Sequence, residues 1–317
     1  MTTLILGGTG FIGARIAHRL VEGSECVVSL DVIPDSTSVA HLRDKVTLLR
    51  GDVGRIEDVL NAIKTYHVDR VVDMAYILNS ESDQQAHSAV RVNALGVSNA
   101  FEAARLLDVE RVIYASSIAV YGDQSLYGER PIAEQDMPAP ISLYGAAKLL
   151  NEQEAALYRQ SCGLSLIGIR IGIVFGHGRL RGQGMWAAQF ASDPAVGKPA
   201  ALPFAGDTRA SLIYVDDVAE LFARILAAPS PLHAIYNTGG DDVSLDELAS
   251  QVRQIIPDAA YTFGTGRLSL PYSVDSTRAE SEFDWRRGRL PERIAEHICM
   301  ARHGTGCAGL TEQDAQD

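Results

Sequence analysis

The chain has 317 residues, a formal net charge of −12 and 46% hydrophobic residues. That length allows a sizeable core of one α/β unit plus a smaller lobe. The negative balance argues against nucleic acid or an anionic membrane as partner, and no apolar run approaches the ~18 residues needed to span a bilayer. No basic stretch precedes the first apolar run, so the N-terminus does not read as a signal peptide and a cytoplasmic protein is expected. Cys26, Cys162, Cys299 and Cys307 show no paired metal-ligand spacing, and no metal is expected.

In chain order, Leu4-Ile5-Leu6 runs into Gly7-Gly8-Thr9-Gly10-Phe11-Ile12-Gly13, after which Ile12, Ile16 and Leu20 fall on one helical face. A strand turning sharply into a helix leaves the first backbone N–H groups of that helix unpaired, and the helix dipole behind them favours an anionic pyrophosphate. Gly7 suits the tight turn, Gly10 the close approach of phosphate, and Gly13 the packing of helix on strand. A glycine motif alone is weak, but this context points to dinucleotide binding. Cys26 to Leu30 reads as strand two, with Asp31 at its end. A carboxylate there accepts hydrogen bonds from ribose hydroxyls and repels a 2′-phosphate. Val32, Ile33 and Pro34 follow without a base, so NAD is expected over NADP. Asp52, just after strand three (46–50), is placed to touch the adenine.

Candidate strands at 3–7, 25–30, 46–50, 70–75, 111–116 and 164–171 alternate with helical patterns. The class is therefore α/β, a doubly wound parallel sheet of Rossmann type with helices on both faces and a smaller C-terminal substrate-binding lobe. Residues 1–175 are expected to form the cofactor unit, with 211–240 contributing to it, and 176–302 the discontinuous lobe. Within the lobe, 176–210 reads as loop-dominated with one short helix around Trp186 to Phe190. A helix from about Val215 to Ala227, a short strand at Ala234 to Asn237, and a capping box from Ser244 to Glu247 follow. The tail, 303–317, is small and polar and is expected to be disordered.

Tyr144 and Lys148 stand four apart at the start of a strongly helical stretch, which puts phenol and ammonium on one face. A tyrosine titrating near ~10 is a poor base at neutral pH, and a neighbouring ammonium is expected to bring it down. With only four lysines in the chain, chance pairing at this spacing is small. A third group is expected at a neighbouring strand end, where ligands bind in open parallel sheets. Ser116 and Ser117 close the strand Arg111 to Ser116 before Val120-Tyr121-Gly122.

The glycine run, Asp31, Ser117 before Val120-Tyr121-Gly122, and Tyr144 with Lys148 resemble the extended short-chain dehydrogenases, and within them the NAD-dependent epimerase/dehydratase family. Arg91 to Val97, Tyr236 to Gly240 and Leu245 to Leu248 resemble further family segments. The resemblance implies a catalytic Ser117, Tyr144 and Lys148 and a homodimer through the helices carrying Asn93 and Tyr144. Cofactor contacts are then expected from Gly7, Gly10, Phe11, Ile12, Gly13, Asp31, Asp52, Val53, Ala75, Asn93 and Ser116, besides Tyr144 and Lys148.

The departures bear on substrate. Members often carry His where this chain has Asp73, and Tyr76 is expected to reshape the nicotinamide pocket. Gly172 replaces an Asn of the nucleotide-sugar members, and Ala210 a phosphate-binding Arg, with Arg209 one step off. Ile118-Ala119 replaces the Asp-Glu of dehydratases, so no acid stands there to expel water. The expected activity is hydride transfer between NAD and a secondary alcohol or carbonyl of a small sugar-like or hydroxy-acid substrate. A nucleotide-sugar 4-epimerase and a non-catalytic NAD-sensing protein are the alternatives. Tyr76, Ser117, Ile118, Arg179, Arg181 and Arg209 are the candidate substrate contacts.

Overall fold

A computed structural model describes residues 1–35, 37–42, 45–78, 85–179 and 183–303. The tail beyond His303 lies outside the described residues, as does Arg181. The main sheet holds β1 (Thr2–Leu6), β2 (Cys26–Asp31), β3 (Val46–Arg50), β4 (Arg70–Asp73), β5 (Arg111–Ser117), β6 (Ser165–Ile171) and β10 (Ile235–Asn237). Their order is β10-β6-β5-β4-β1-β2-β3, and every pair is parallel. The order reverses between β1 and β4, so the crevice outside those strand ends is where a doubly wound sheet binds ligand.

The strands are near-continuous apolar runs because both sheet faces are covered. Leu4 and Leu6 enter the core shared with α2 (Ile56–Tyr66) and α3, while Ile5 enters the opposite core with α1 (Phe11–Glu22) and α6 (Val215–Ala227). This is the period-2 alternation of a strand. Helix α3 is built of Ala86–Val90, a wide π-type turn Arg91–Gly96, and Val97–Leu106. On the other face, α1 and α6 are tied by ion pairs from Arg15 to Asp216 and from Arg19 to Glu220.

Beyond β6 the chain departs from the sequence expectation. β7 (Ile173–Phe175), counted with the first unit, leaves the main sheet and pairs with β9 (Arg209–Tyr214), which pairs antiparallel with β11 (Asp241–Ser244). β10, from the segment 211–240, does join the main sheet, beside β6. The segment 176–210 is more regular than a loop-dominated lobe. Helix α5 (Trp186–Ala195) is longer than expected, and β8 (Ala200–Phe204) pairs in parallel with the distant β12 (Tyr261–Gly266). A two-strand pairing so remote in sequence leaves no local signature. The capping box does form, at the start of α7 (Leu245–Ile255). Two further helices, α8 (Thr277–Phe283) and α9 (Leu290–His303), close the lobe. Among the described residues no helix is long and apolar enough to cross a membrane.

Helix α4 (Leu143–Cys162) runs beside α3, and the two expose Val90, Leu95 and Leu106 on α3, and Leu150 and Leu157 on α4. Its inner face is anchored by charge. Arg170 on β6 donates to both carboxylate oxygens of Glu152 on α4, at 2.9 and 2.6 Å, and to the Tyr121 hydroxyl at 2.7 Å. Glu152 also accepts from Ser116 Oγ at 2.5 Å, and all of these groups are buried. Removing one partner of such a pair strands the other charge in a low-dielectric core. Arg170→Met should therefore cost about 3–5 kcal/mol in urea denaturation; a loss below about 1 kcal/mol would show that the pair does not anchor the helix.

Candidate active site

The glycine loop forms a bare cradle. Gly7 has a positive φ of +72°, and a Cβ there would stand 2.9 Å from the backbone of Met74 and Ala75. At Gly13 a Cβ would come within 2.3 Å of the Gly7 carbonyl oxygen. Gly10 caps α1 with no side-chain hydrogen bond, and the first turn carries no acidic residue. The leading N–H groups of α1 are thus left without side-chain caps, and their positive end suits an anionic pyrophosphate. Phe11 is half-buried and Ile12 buried, the latter in the wall of the adjoining cavity. Asp31, at the end of β2, accepts from Thr9 Oγ1 at 2.8 Å, which ties the acidic group to the loop.

Five expected cofactor contacts have partners within the protein. Asp52 accepts from Gly54 N at 2.9 Å and from Arg91 Nη1 at 2.6 Å, so its carboxylate closes a turn and fixes Arg91. Val53 beside it is buried, and its carbonyl accepts from Asn99 Nδ2. Asn93 accepts from Ile77 N at 2.7 Å and donates to Ile77 O at 2.8 Å, so both ends of its amide hold the segment after β4. The wide turn of α3 around Asn93 is the kind of helix irregularity that re-aims a side chain. Ser116 lines the cavity, but its hydroxyl is given to Glu152. Ala75 N donates to Asp73 Oδ1 at 3.0 Å, while the other oxygen of the buried Asp73 has no hydrogen-bond partner among the described residues.

The candidate catalytic groups lie at the end of β5 and in the first turns of α4 (Leu143–Cys162). Ser117 ends β5, and its Oγ accepts from Ala119 N at 3.1 Å. Ser142 caps α4 through Gly145 N at 3.1 Å, which sets Tyr144 in the first turn. Gly145 is the residue that permits their approach. A Cβ there would lie 2.5 Å from the Ala119 carbonyl oxygen, so any larger residue would hold the helix off the β5 end. Lys148 is buried, with its ammonium 5.2 Å from the Tyr76 ring centre and 5.5 Å from that of Tyr144. The Tyr76 and Tyr144 rings meet edge-on at 6.2 Å.

The electrostatics differ from the sequence expectation. Burial pushes the Tyr144 phenol up, and the neighbouring Tyr76 adds to this; hydrogen bonding with Ser117 and the charge of Arg179 draw it down. Burial also lowers Lys148 to about 8, against the charges of Asp73 and Glu152, which favour its ammonium. Asp73 is itself raised by burial to about 6. Desolvation thus outweighs the pairing that spacing alone suggested.

One cavity collects Ile12, Tyr76, Ser117, Ile118, Tyr144 and Arg179. Arg209 is not in its wall. It pairs with Asp242 and Glu129 and lies over the Tyr272 ring at 4.5 Å. The cavity also draws in Trp186, Phe204, Leu268 and Leu270 from α5, β8 and the segment after β12. Nothing in the sequence signalled these four, since they converge from separate stretches of the lobe.

Comparison with known proteins accords with this layout. Residues 3–239 match the model of the NAD dependent epimerase/dehydratase family. The UDP-glucose 4-epimerase of Mycolicibacterium smegmatis is 28% identical, with 96% of this chain and 99% of that protein aligned. The structure of the Thermus thermophilus UDP-glucose 4-epimerase in complex with NAD superposes with a TM-score of 0.85 at 28% identity, covering 96% of this chain and 99% of that one. A GalE-like L-threonine dehydrogenase from Cupriavidus necator shares the fold, with a TM-score of 0.85 at 21% identity over 94% and 99% of the two chains. With its doubly wound sheet, glycine cradle and family match over most of its length, the chain belongs to the NAD-dependent epimerase/dehydratase family.

Proposed function

We propose that this protein is an NAD-dependent oxidoreductase that interconverts a secondary alcohol and its carbonyl on a small substrate, with Ser117, Tyr144 and Lys148 as the working groups. The observation that carries this is the convergence of the Ser117 and Tyr144 side chains on one cavity wall beside the glycine cradle, with Lys148 buried behind them. Bound NAD would supply the hydride acceptor for the alcohol and, in reduced form, the hydride donor for the carbonyl. The uncapped start of α1 would hold its pyrophosphate, and Asp31 its adenosine ribose. Tyr144 takes the hydroxyl proton as the carbonyl forms. Ser117 donates to the substrate oxygen, and the Lys148 charge favours the phenolate that Tyr144 must become.

A nucleotide-sugar 4-epimerase uses the same groups, and the UDP-glucose 4-epimerases among the relatives favour it. The residues that would hold a diphosphate argue against it. Ala210 is buried in β9, and Arg209 is committed to Asp242 and Glu129. At Gly172 a Cβ would stand 2.8 Å from the Gly239 carbonyl oxygen, which leaves no space for the amide of those members. Unpaired diphosphate charges in a partly closed cleft cost several kcal/mol. An NAD-sensing role would need the cradle and Asp31 but not a buried lysine beside a tyrosine.

Two results test this function. Tyr144→Phe keeps the ring and removes the proton carrier, so turnover should fall by about 10²-fold or more with NAD affinity unchanged; turnover within a few-fold of the parent would place the proton transfer elsewhere. By calorimetry NAD should bind more tightly than NADP, and Asp31→Ala should narrow the difference. Equal or tighter binding of NADP by the parent protein would refute the role given to Asp31.

A further inference from the structure

We infer that Arg179 is the specificity-determining residue of this site, and that the substrate is a hydroxy acid: a carboxylate at one end, an apolar body, and the reacting hydroxyl between them. This rests on the oxidoreductase function proposed above and names its substrate class. The cavity walls beyond the hydroxyl pair are apolar, built from Ile118, Ile173, Trp186, Phe204, Leu268 and Leu270. Trp186 and Phe204, both in this lining, meet edge-on at 5.7 Å. Such walls offer few partners to the several ring hydroxyls of a sugar, and each hydroxyl buried without a hydrogen bond opposes binding.

Among the described residues of this lining, Arg179 is the one charged side chain. Its Nη1 donates to the Val174 carbonyl oxygen at 2.8 Å, which anchors one edge of the guanidinium. Among the described residues it forms no ion pair, whereas Arg209, Arg267 and Arg293 all have carboxylate partners. Gly184 makes room for it, since a Cβ there would lie 2.1 Å from Arg179 Nη2. The guanidinium is close enough to the reacting groups for its charge to draw down both the Tyr76 and Tyr144 phenols. A planar guanidinium whose Nε and Nη2 make no hydrogen bond among the described residues is matched by a planar carboxylate, two parallel N–H···O bonds to one charge. One cation does not neutralise the multiple charges of a nucleoside diphosphate. Held at Arg179, a hydroxy acid presents its carbinol carbon toward Ser117 and Tyr144. Oxidation then breaks its C–H and O–H bonds, passing the hydride to NAD and the proton to Tyr144, and leaves the keto acid.

The test compares 3-phenyllactate and 2-hydroxy-4-methylpentanoate with their methyl esters, with glucose and with a phosphate monoester, glycerol 3-phosphate. NADH formation is followed for turnover, and calorimetry on the NAD-loaded full chain for binding. At least one hydroxy acid should be preferred over its ester by about tenfold or more in kcat/KM. Arg179→Met should raise the KM for that acid about tenfold or more relative to its ester, so that the preference for acid over ester is lost, while NAD affinity stays as in the parent. Equal use of acid and ester, preference for glucose or glycerol 3-phosphate, failure of both acids to bind, or an equal loss for acid and ester in Arg179→Met would each overturn the inference. Tight, Arg179-dependent binding of an acid without any NADH would instead uphold the carboxylate site and count against the oxidoreductase function.

Discussion

The site depends on how closely α4 can be drawn onto the ends of β5 and β6. Two features set that distance. Gly145 lets the helix backbone approach the Ala119 carbonyl, where a Cβ would stand only 2.5 Å away. The Arg170–Glu152 pair then fixes the helix against β6, with Ser116 supplying a third bond from β5. Because the pair is buried and bidentate, a sliding or rotation of α4 would break charge-assisted bonds in a low-dielectric core. Tyr144 and Lys148 ride on that helix, so their approach to Ser117 follows from a packing constraint rather than from affinity among the three.

The same burial that makes the site rigid makes it electrostatically demanding. Tyr144, Lys148 and Asp73 are all buried, and each is moved toward its neutral form by desolvation. A cluster of this kind responds strongly to each added charge, because little water screens it. Asp73 holds one oxygen against Ala75 N and leaves the other without a hydrogen-bond partner among the described residues, beside the turn that receives the glycine loop. The positive charge of Arg179, in the wall of the same cavity, draws both phenols down. Substrate and proton chemistry therefore share one small field.

Much of the fold was legible from local pattern. The strand–turn–helix around Gly7 to Gly13, the buried parallel strands and the Tyr144–Lys148 spacing all carry their information within a few residues. What could not be read depends on partners far along the chain. β8 pairs with β12, and β7 turns away to β9, so neither has a local mark. Asp52 was placed by its position after strand three, and Asn93 and Arg209 by the family resemblance; each is engaged by a distant group: Arg91, Ile77, and Asp242 with Glu129. The upward direction of the Tyr144 shift in the protein alone was not legible for a related reason. Spacing reveals a neighbouring charge but not the depth of burial, and burial is the larger effect here.

The proposed Ser–Tyr–Lys chemistry would serve net oxidation and epimerisation alike, and the two differ in whether the hydride stays with the cofactor when the substrate departs. The most direct measurement is therefore a stoichiometric one: full-length protein, excess NAD and a secondary-alcohol substrate, with NADH absorbance and carbonyl product quantified together over many turnovers. The account predicts equal amounts of NADH and carbonyl product accumulating well beyond the enzyme concentration. Interconversion of a nucleotide sugar with no NADH released would contradict it.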